Sequence, residues 1–117
     1  MKRIVVVDDE EAVRLLYKEE LAEAGYAVEL ACNGAEALAM VRERRPDLMT
    51  IDLKMPAMDG IELLGHVRQL YHDLPIIIST AYGDLRRDFG TWGSDAYLTK
   101  SSDLDELKAK IRELLET

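Results

Sequence analysis

The stretch Met49-Thr50-Ile51-Asp52-Leu53-Lys54-Met55-Pro56-Ala57-Met58-Asp59-Gly60 narrows the folding options of this chain more than any other. An apolar segment ends in one aspartate, and a proline and an Asp-Gly pair then turn the backbone. Pro46 stands in front of it, so Asp47 to Ile51 is predicted as a short buried strand with punctuation at both ends. Asp52 then sits at the strand's carboxyl end, the edge of an open α/β sheet where ligands and chemistry collect.

The rest of the chain alternates in the same manner. Arg3-Ile4-Val5-Val6-Val7 is a β-branched run without polar alternation, as a strand buried on both faces requires. After Asp8-Asp9-Glu10-Glu11, the residues Val13, Leu16, Tyr17, Leu21 and Ala24 recur at helical spacing, and Gly25 suits a helix C′ position. Ala27 to Ala31 reads as a second strand. Asn33-Gly34 has hairpin character, but Ala35 to Arg44 is helix-forming, and Asn33 with Glu36 makes an N-cap and its capping-box partner. A third helix spans Gly60 to Tyr71 with Ile61, Leu64 and Val67 inward, followed by strands at Ile76 to Thr80 and Asp95 to Thr99. The last helix starts from Asp103, with Glu106 in the capping-box position and a stripe of Leu104, Leu107, Ile111, Leu114 and Leu115.

Strands alternating with amphipathic helices imply right-handed βαβ units and a doubly wound five-stranded parallel sheet of order 2-1-3-4-5. Strands 1 and 3 are then neighbours at the topological switch point, which brings Asp8 and Asp9 beside Asp52. A length of 117 residues suits one domain with one core, and 48% hydrophobic residues exclude a disordered chain. No apolar run reaches membrane-span length, and the run after Met1-Lys2-Arg3 is too short for a signal peptide. Cys32 is the single cysteine; with no export signal, this suggests the reducing cytoplasm. A formal charge of −8 argues against a nucleic-acid backbone binder. It suits a partner with a basic patch, or solubility alone.

Three carboxylates on the order of 4–5 Å apart would repel by roughly 3–4 kcal/mol per pair at an effective dielectric near 20. Such a cluster must protonate or hold a cation. Hard oxygen ligands around a small site favour Mg²⁺, with waters and a phosphoryl oxygen completing its shell. Acidic residues before a helix also complement its dipole, and Glu10 and Glu11 are read that way. For Asp8 and Asp9 alone, both readings stand. Thr80 closes the fourth strand and Lys100 follows the fifth. A carboxylate nucleophile, a cation site, a hydroxyl and an ammonium can converge on one phosphoryl group.

The segments V-V-V-D-D-E, P-D-L-M-T-I-D-L-K-M-P-A-M-D-G, S-T-A-Y-G and G-S-D-A-Y-L-T-K, in this order and spacing, resemble the receiver domain of two-component response regulators. The resemblance covers the whole length and implies the flavodoxin-like, CheY-like (βα)5 fold. It further implies that Asp52 accepts a phosphoryl group from a histidine kinase or a histidine phosphotransfer protein. Asp8 and Asp9 position Mg²⁺, with Asp9, Asp52 and the Lys54 carbonyl as direct ligands. Lys100 contacts the phosphoryl group, Thr80 bonds to it and shifts, and Tyr97 swings inward as the coupled aromatic switch. Lys54 and Tyr82 occupy positions that flank the path of the hydrolysing water. They resemble those of the sporulation phosphorelay's single-domain regulator, so slow self-dephosphorylation is expected. The expectation is a single receiver over residues 1–117 without an output domain, monomeric or weakly dimeric. It would signal through a downstream protein partner or by passing the phosphoryl group on, without nucleic acid or membrane.

The chain departs from the receiver pattern twice. Lys100 is followed by Ser101 rather than proline, and a cis bond there would cost roughly 2.5–4 kcal/mol, so a trans bond is expected. Between Thr80 and Gly93 the chain is about two residues short, which would turn a helix by roughly 200° beyond that point. With Gly90 and Gly93 as well, a stunted or irregular fourth helix is predicted over 84–93, anchored to the core by Phe89 and Trp92 or presenting them for docking. His66 and His72 are read as solvated, and Cys32 as packing.

Three rival readings remain open at this point. A haloacid-dehalogenase-type phosphohydrolase would put its nucleophile in a D-x-D motif after the first strand, where this chain has Asp8-Asp9. A flavodoxin-like binding module would need a phosphate-cradling first loop, which D-D-E-E would repel. A pseudo-receiver would scaffold without phosphorylation.

Overall fold

Five runs become strands; the three central ones are buried along their whole length, as apolar runs without alternation require, and the two edge strands only in part. They are β1 (Arg3–Val7), β2 (Ala27–Ala31), β3 (Leu48–Asp52), β4 (Ile76–Thr80) and β5 (Ala96–Thr99). In the computed structural model, which describes residues 1–81, 93–100 and 104–116, all pair in parallel in the order β2-β1-β3-β4-β5. The described helices are α1 (Glu11–Glu23), α2 (Gly34–Glu43), α3 (Gly60–Leu70) and α4 (Asp105–Leu115). The doubly wound sheet is therefore as expected, with β1 and β3 adjacent at the switch point. The predicted helix over 84–93, Phe89, Trp92, the Lys100–Ser101 bond and the Asp103 cap lie outside the described residues.

The core has two halves, one on each face of the sheet. Ala37, Leu38 and Val41 of α2 and Leu63, Leu64 and Val67 of α3 pack with Val5, Val7, Met49, Ile51, Ile76 and Ile78 on one face. Tyr17 and Leu21 of α1 and Leu107 and Ile111 of α4 pack with Ile4, Val6, Leu48, Ile77 and Leu98 on the other. Alternate strand residues serve opposite halves, as a period of two requires.

Local chemistry sets the element ends. Gly25, at φ +100°, closes α1 in a Schellman turn: its N–H donates to the Ala22 carbonyl, and that of Tyr26 to Leu21. The Asn33 side chain accepts the Glu36 N–H (2.8 Å). The Glu36 carboxylate reaches back to the Cys32 N–H (3.1 Å), one residue beyond the usual reciprocal partner. Asp59 caps α3 through the Glu62 N–H (2.9 Å).

Two strand starts differ from the expectation. β3 begins at Leu48 because the carboxylate of Asp47 is committed to the lower edge, accepting the Arg3 N–H (2.7 Å). β5 begins at Ala96 because the Asp95 carboxylate accepts from the Ile76 N–H (2.8 Å) and the Arg68 guanidinium (2.9 Å). α3 turns Leu64 and Val67 into the core and packs Ile61 against it, as expected, and buries Leu63 beside them. Arg68 also donates to the carbonyls of Leu74 (2.6 Å) and Gly93 (2.7 Å), tying the end of α3 to the approaches of β4 and β5.

The loop from β3 to α3 closes tightly on the strand it leaves. The Gly60 N–H donates to the Leu53 carbonyl (2.8 Å), and a Cβ on Gly60 would lie 2.4 Å from the Asp52 carbonyl oxygen. Gly65, in the same helix, is exposed and has nothing within 4 Å of such a Cβ. The same substitution therefore has opposite signs at the two positions. Gly60→Ala overpacks the loop and lowers stability by about 1–3 kcal/mol in urea unfolding. Gly65→Ala raises it by about 0.5–1 kcal/mol, through helix propensity alone.

Candidate functional site

Strand order decides which charged side chains meet at the carboxyl edge of the sheet. Asp8 directly follows β1 and Asp52 ends β3; the two strands pair with Val7 opposite Ile51, so both carboxylates occupy one corner. Lys100 directly follows β5, and its N–H donates to the Thr80 carbonyl (2.6 Å), extending the β4–β5 pairing by one bond. Its ammonium nitrogen then lies 2.8 Å from Asp8 Oδ2, 3.3 Å from Asp52 Oδ1 and 3.7 Å from Glu10 Oε1.

Asp8 is held from behind. The other Asp8 oxygen accepts the Glu10 N–H (2.9 Å), and Arg14 donates to the Asp8 carbonyl (2.8 Å), tying the start of α1 to the strand end. One oxygen from each of Asp8, Asp9 and Glu10 can be chosen so that all lie within 4.8 Å of one another. In front of them opens a crevice of ≈ 380 Å³, walled by Asp9, Glu10, Asp52, Lys54, Ala81 and Lys100, with Met55 and Pro56 on its apolar side.

The electrostatics follow from burial and crowding. Burial, then the charge of Asp8, push the Asp52 carboxyl up to about 6, against the pull of Lys100 and with a smaller push from Asp9. Burial alone would lower the Lys100 ammonium, but its hydrogen bond to Asp8 and the charges of Asp52 and Asp8 outweigh that and raise it. Lys100 is therefore charged at neutral pH and serves the two carboxylates as a counter-ion.

The residues expected from the sequence fall into three groups. Asp8, Asp9, Asp52, Lys54 and Lys100 are brought to one corner. Thr80 is fully buried at the end of β4, bonded through its carbonyl to Lys100. Tyr97 is buried in the α2–α3 half of the core, opposite Ile78 of β4. Tyr82 lies outside the described residues. His66 and His72 are exposed, as read from the sequence.

Two groups were missed. Glu10, read as dipole complementation, faces Lys100 and the crevice; its place one residue after the Asp-Asp pair was the available signal. A buried hydrogen bond of 2.7 Å joins the Tyr17 hydroxyl on α1 to the Ser79 hydroxyl on β4. Nothing in the sequence pairs those two residues.

The family described as the response regulator receiver domain matches residues 4–112. The response regulator MprA of Mycobacterium leprae is 44% identical over 115 residues, covering 97% of this chain and 50% of that protein. MprA of Mycobacterium avium is 43% identical with the same coverage, so the chain spans about half the length of the curated relatives it matches. The response regulator TrrA of Thermotoga maritima, crystallised in complex with Mg²⁺-BeF, aligns with a TM-score of 0.94 at 46% identity, over 98% of this chain and 100% of that one. TrrA in complex with the histidine kinase ThkA aligns at 0.91, again at 46% identity, over 98% and 99%. Among the described residues no helix is long and apolar enough to cross a membrane. The match begins in the first strand and ends in the last helix, and it sets aside both the dehalogenase-type hydrolase and the flavodoxin-like module: the chain belongs to the receiver-domain family of response regulators.

Proposed function

We propose that Asp52 takes a phosphoryl group from a phosphohistidine, on a histidine kinase or a histidine phosphotransfer protein, in a reaction that needs Mg²⁺. The observation that carries this reading is the shared ammonium: Lys100 reaches Asp8 and Asp52 at once, at the mouth of a crevice wide enough for a phosphoryl group. The TrrA structures support it, one in complex with Mg²⁺-BeF and one with a histidine kinase.

The donor set fits the ion. Asp8, Asp9 and Glu10 offer hard oxygens within 4.8 Å of one another, and Asp52 and Lys54 line the same crevice. Asp9, Asp52 and the Lys54 carbonyl would hold the ion, with Asp8 positioning it. Bound there, Mg²⁺ neutralises carboxylate charge and the charge on the phosphoryl oxygens.

The residues of the chain then do the following. An Asp52 carboxylate oxygen attacks phosphorus as the phosphorus–nitrogen bond of the donor breaks. The imidazole leaves with the bonding pair and takes a proton from solvent. Lys100 exchanges its carboxylate partner for a phosphoryl oxygen, and the Thr80 hydroxyl donates to another. Tyr97 exchanges between its buried place and an outward one as Thr80 moves, so phosphorylation weights two arrangements of one surface. A downstream protein reads that surface or takes the phosphoryl group on. Lys54, exposed at the rim, and Tyr82 screen the acyl phosphate from water.

Incubation with acetyl phosphate and Mg²⁺ adds one phosphoryl group to the wild type by intact mass and none to Asp52→Ala; an unlabelled wild type would make this chain a pseudo-receiver. Lys54→Asn combined with Tyr82→Glu shortens the half-life of the label, and an unchanged half-life removes both residues from that role.

The raised Asp52 carboxyl has a consequence without metal. Below pH 4 it is protonated in both folded and unfolded chains. Between about 4 and 6 only the folded chain keeps the proton, so its contribution to stability falls as pH rises through that window. Relative to wild type, the Asp52→Asn variant gains about 1–2 kcal/mol at pH 7.5 and nothing at pH 4, after allowance for screening at an open crevice. Chemical denaturation in chelator at the two pH values checks this.

A further inference from the structure

A second cavity, of ≈ 140 Å³, lies on the α1 and α4 side of the sheet and shares no lining residue with the crevice. Leu98 of β5 and Leu104 and Leu107 at the start of α4, all buried, give it apolar walls. Tyr17 and Ser79, each only 4% exposed, stand at its inner end. Thr99 and Glu106 are exposed and mark where it opens to solvent.

The hydroxyls of Tyr17 and Ser79 lie 2.7 Å apart, and either can be the donor. Two hydroxyls carry two hydrogens, and the bond between them uses one. Among the described residues neither hydroxyl has a second partner, so whichever oxygen accepts still carries an O–H with no protein acceptor. Burial raises the Tyr17 phenol and outweighs the lowering pull of its Ser79 bond, so both groups are neutral donors at pH 7. A buried donor without an acceptor is costly and rare in folded proteins. The cavity that both residues line is the place from which an acceptor reaches this hydrogen.

We propose that this cavity is a binding site for a small neutral molecule, ring-sized and apolar except for one hydrogen-bond acceptor. The acceptor takes the spare hydroxyl hydrogen of the Tyr17–Ser79 pair, and the apolar body packs on Leu98, Leu104 and Leu107. The volume sets the size, since an apolar cavity of about 150 Å³ takes a molecule as large as benzene. The lining sets the charge. Among the described residues no cationic side chain lines the cavity, and Glu106 stands at its opening, so an anion is disfavoured. A cation would leave water for leucine walls with no buried carboxylate to pair it. Water at the hydroxyl would find few further partners against those walls, whereas a buried water makes about three hydrogen bonds. The site stands apart from the phosphoryl chemistry proposed above and does not depend on it.

The probe is cyclohexanone, with benzene as a ring of similar size that lacks an oxygen acceptor. Each is titrated into the full chain and followed by amide and methyl NMR. In the wild type, cyclohexanone is expected to shift the amides of Tyr17, Ser79 and Leu98. Its ring should show contacts with the methyl groups of Leu98, Leu104 and Leu107. Leu98→Phe fills the cavity and should abolish both signals. The combined variant Tyr17→Phe with Ser79→Ala should lose about fivefold of the preference for cyclohexanone over benzene, the worth of one neutral hydrogen bond. Each single variant should keep that preference, because the remaining hydroxyl, freed from its partner, still donates. Wild-type contacts that are absent, or that lie elsewhere on the chain, overturn the proposal whether or not a variant folds. An unaltered preference in the combined variant overturns it as well, as does binding that survives Leu98→Phe.

Discussion

An ammonium shared between Asp8 and Asp52 holds the corner on which the rest of this structure depends. Two buried carboxylates at neighbouring strand ends repel each other in a region where water screens poorly. Burying an ion pair brings little net stability by itself, because desolvation offsets most of the attraction. What Lys100 secures is geometry, since without it one of the carboxylates would have to hold a proton. Burial, and then the charge of Asp8, still raise the Asp52 carboxyl with the lysine in place. A divalent cation at this corner, as in the proposed function, would supply the missing compensation.

The position of Lys100 depends on long-range pairing. Its backbone donates to Thr80, β4 pairs with β3 opposite Asp52, and β3 pairs with β1 just below Asp8. Each of these contacts spans the sheet, so the ammonium reaches both carboxylates only when four of the five strands are in register. A one-residue slip would turn every core side chain of the slipped strand outward. The hydrophobic pattern that builds the sheet therefore also aims the charges. The Arg68 clasp reinforces this at the opposite edge, fixing the approaches of β4 and β5 through the Leu74 and Gly93 carbonyls and the Asp95 carboxylate.

The legible and illegible parts of the site differ in a physical way. Asp52, Asp8 and Lys100 could be placed from the sequence because each terminates a run of residues whose periodicity identifies a strand, and the topology of such strands is nearly fixed. The strand starts at Leu48 and Ala96 were each missed by one residue, because Asp47 and Asp95 spend their carboxylates on backbone N–H groups across the sheet. The inward face of α3 was legible in the spacing of Ile61, Leu64 and Val67, while Leu63, adjacent to Leu64, is buried as well without any signal of period. Glu10 was discounted because an acidic residue at a helix start has an adequate local explanation. Tyr17 and Ser79 were invisible for a deeper reason. Their pairing joins residues 62 apart in sequence, and each taken alone looks like an ordinary amphipathic or strand-end residue.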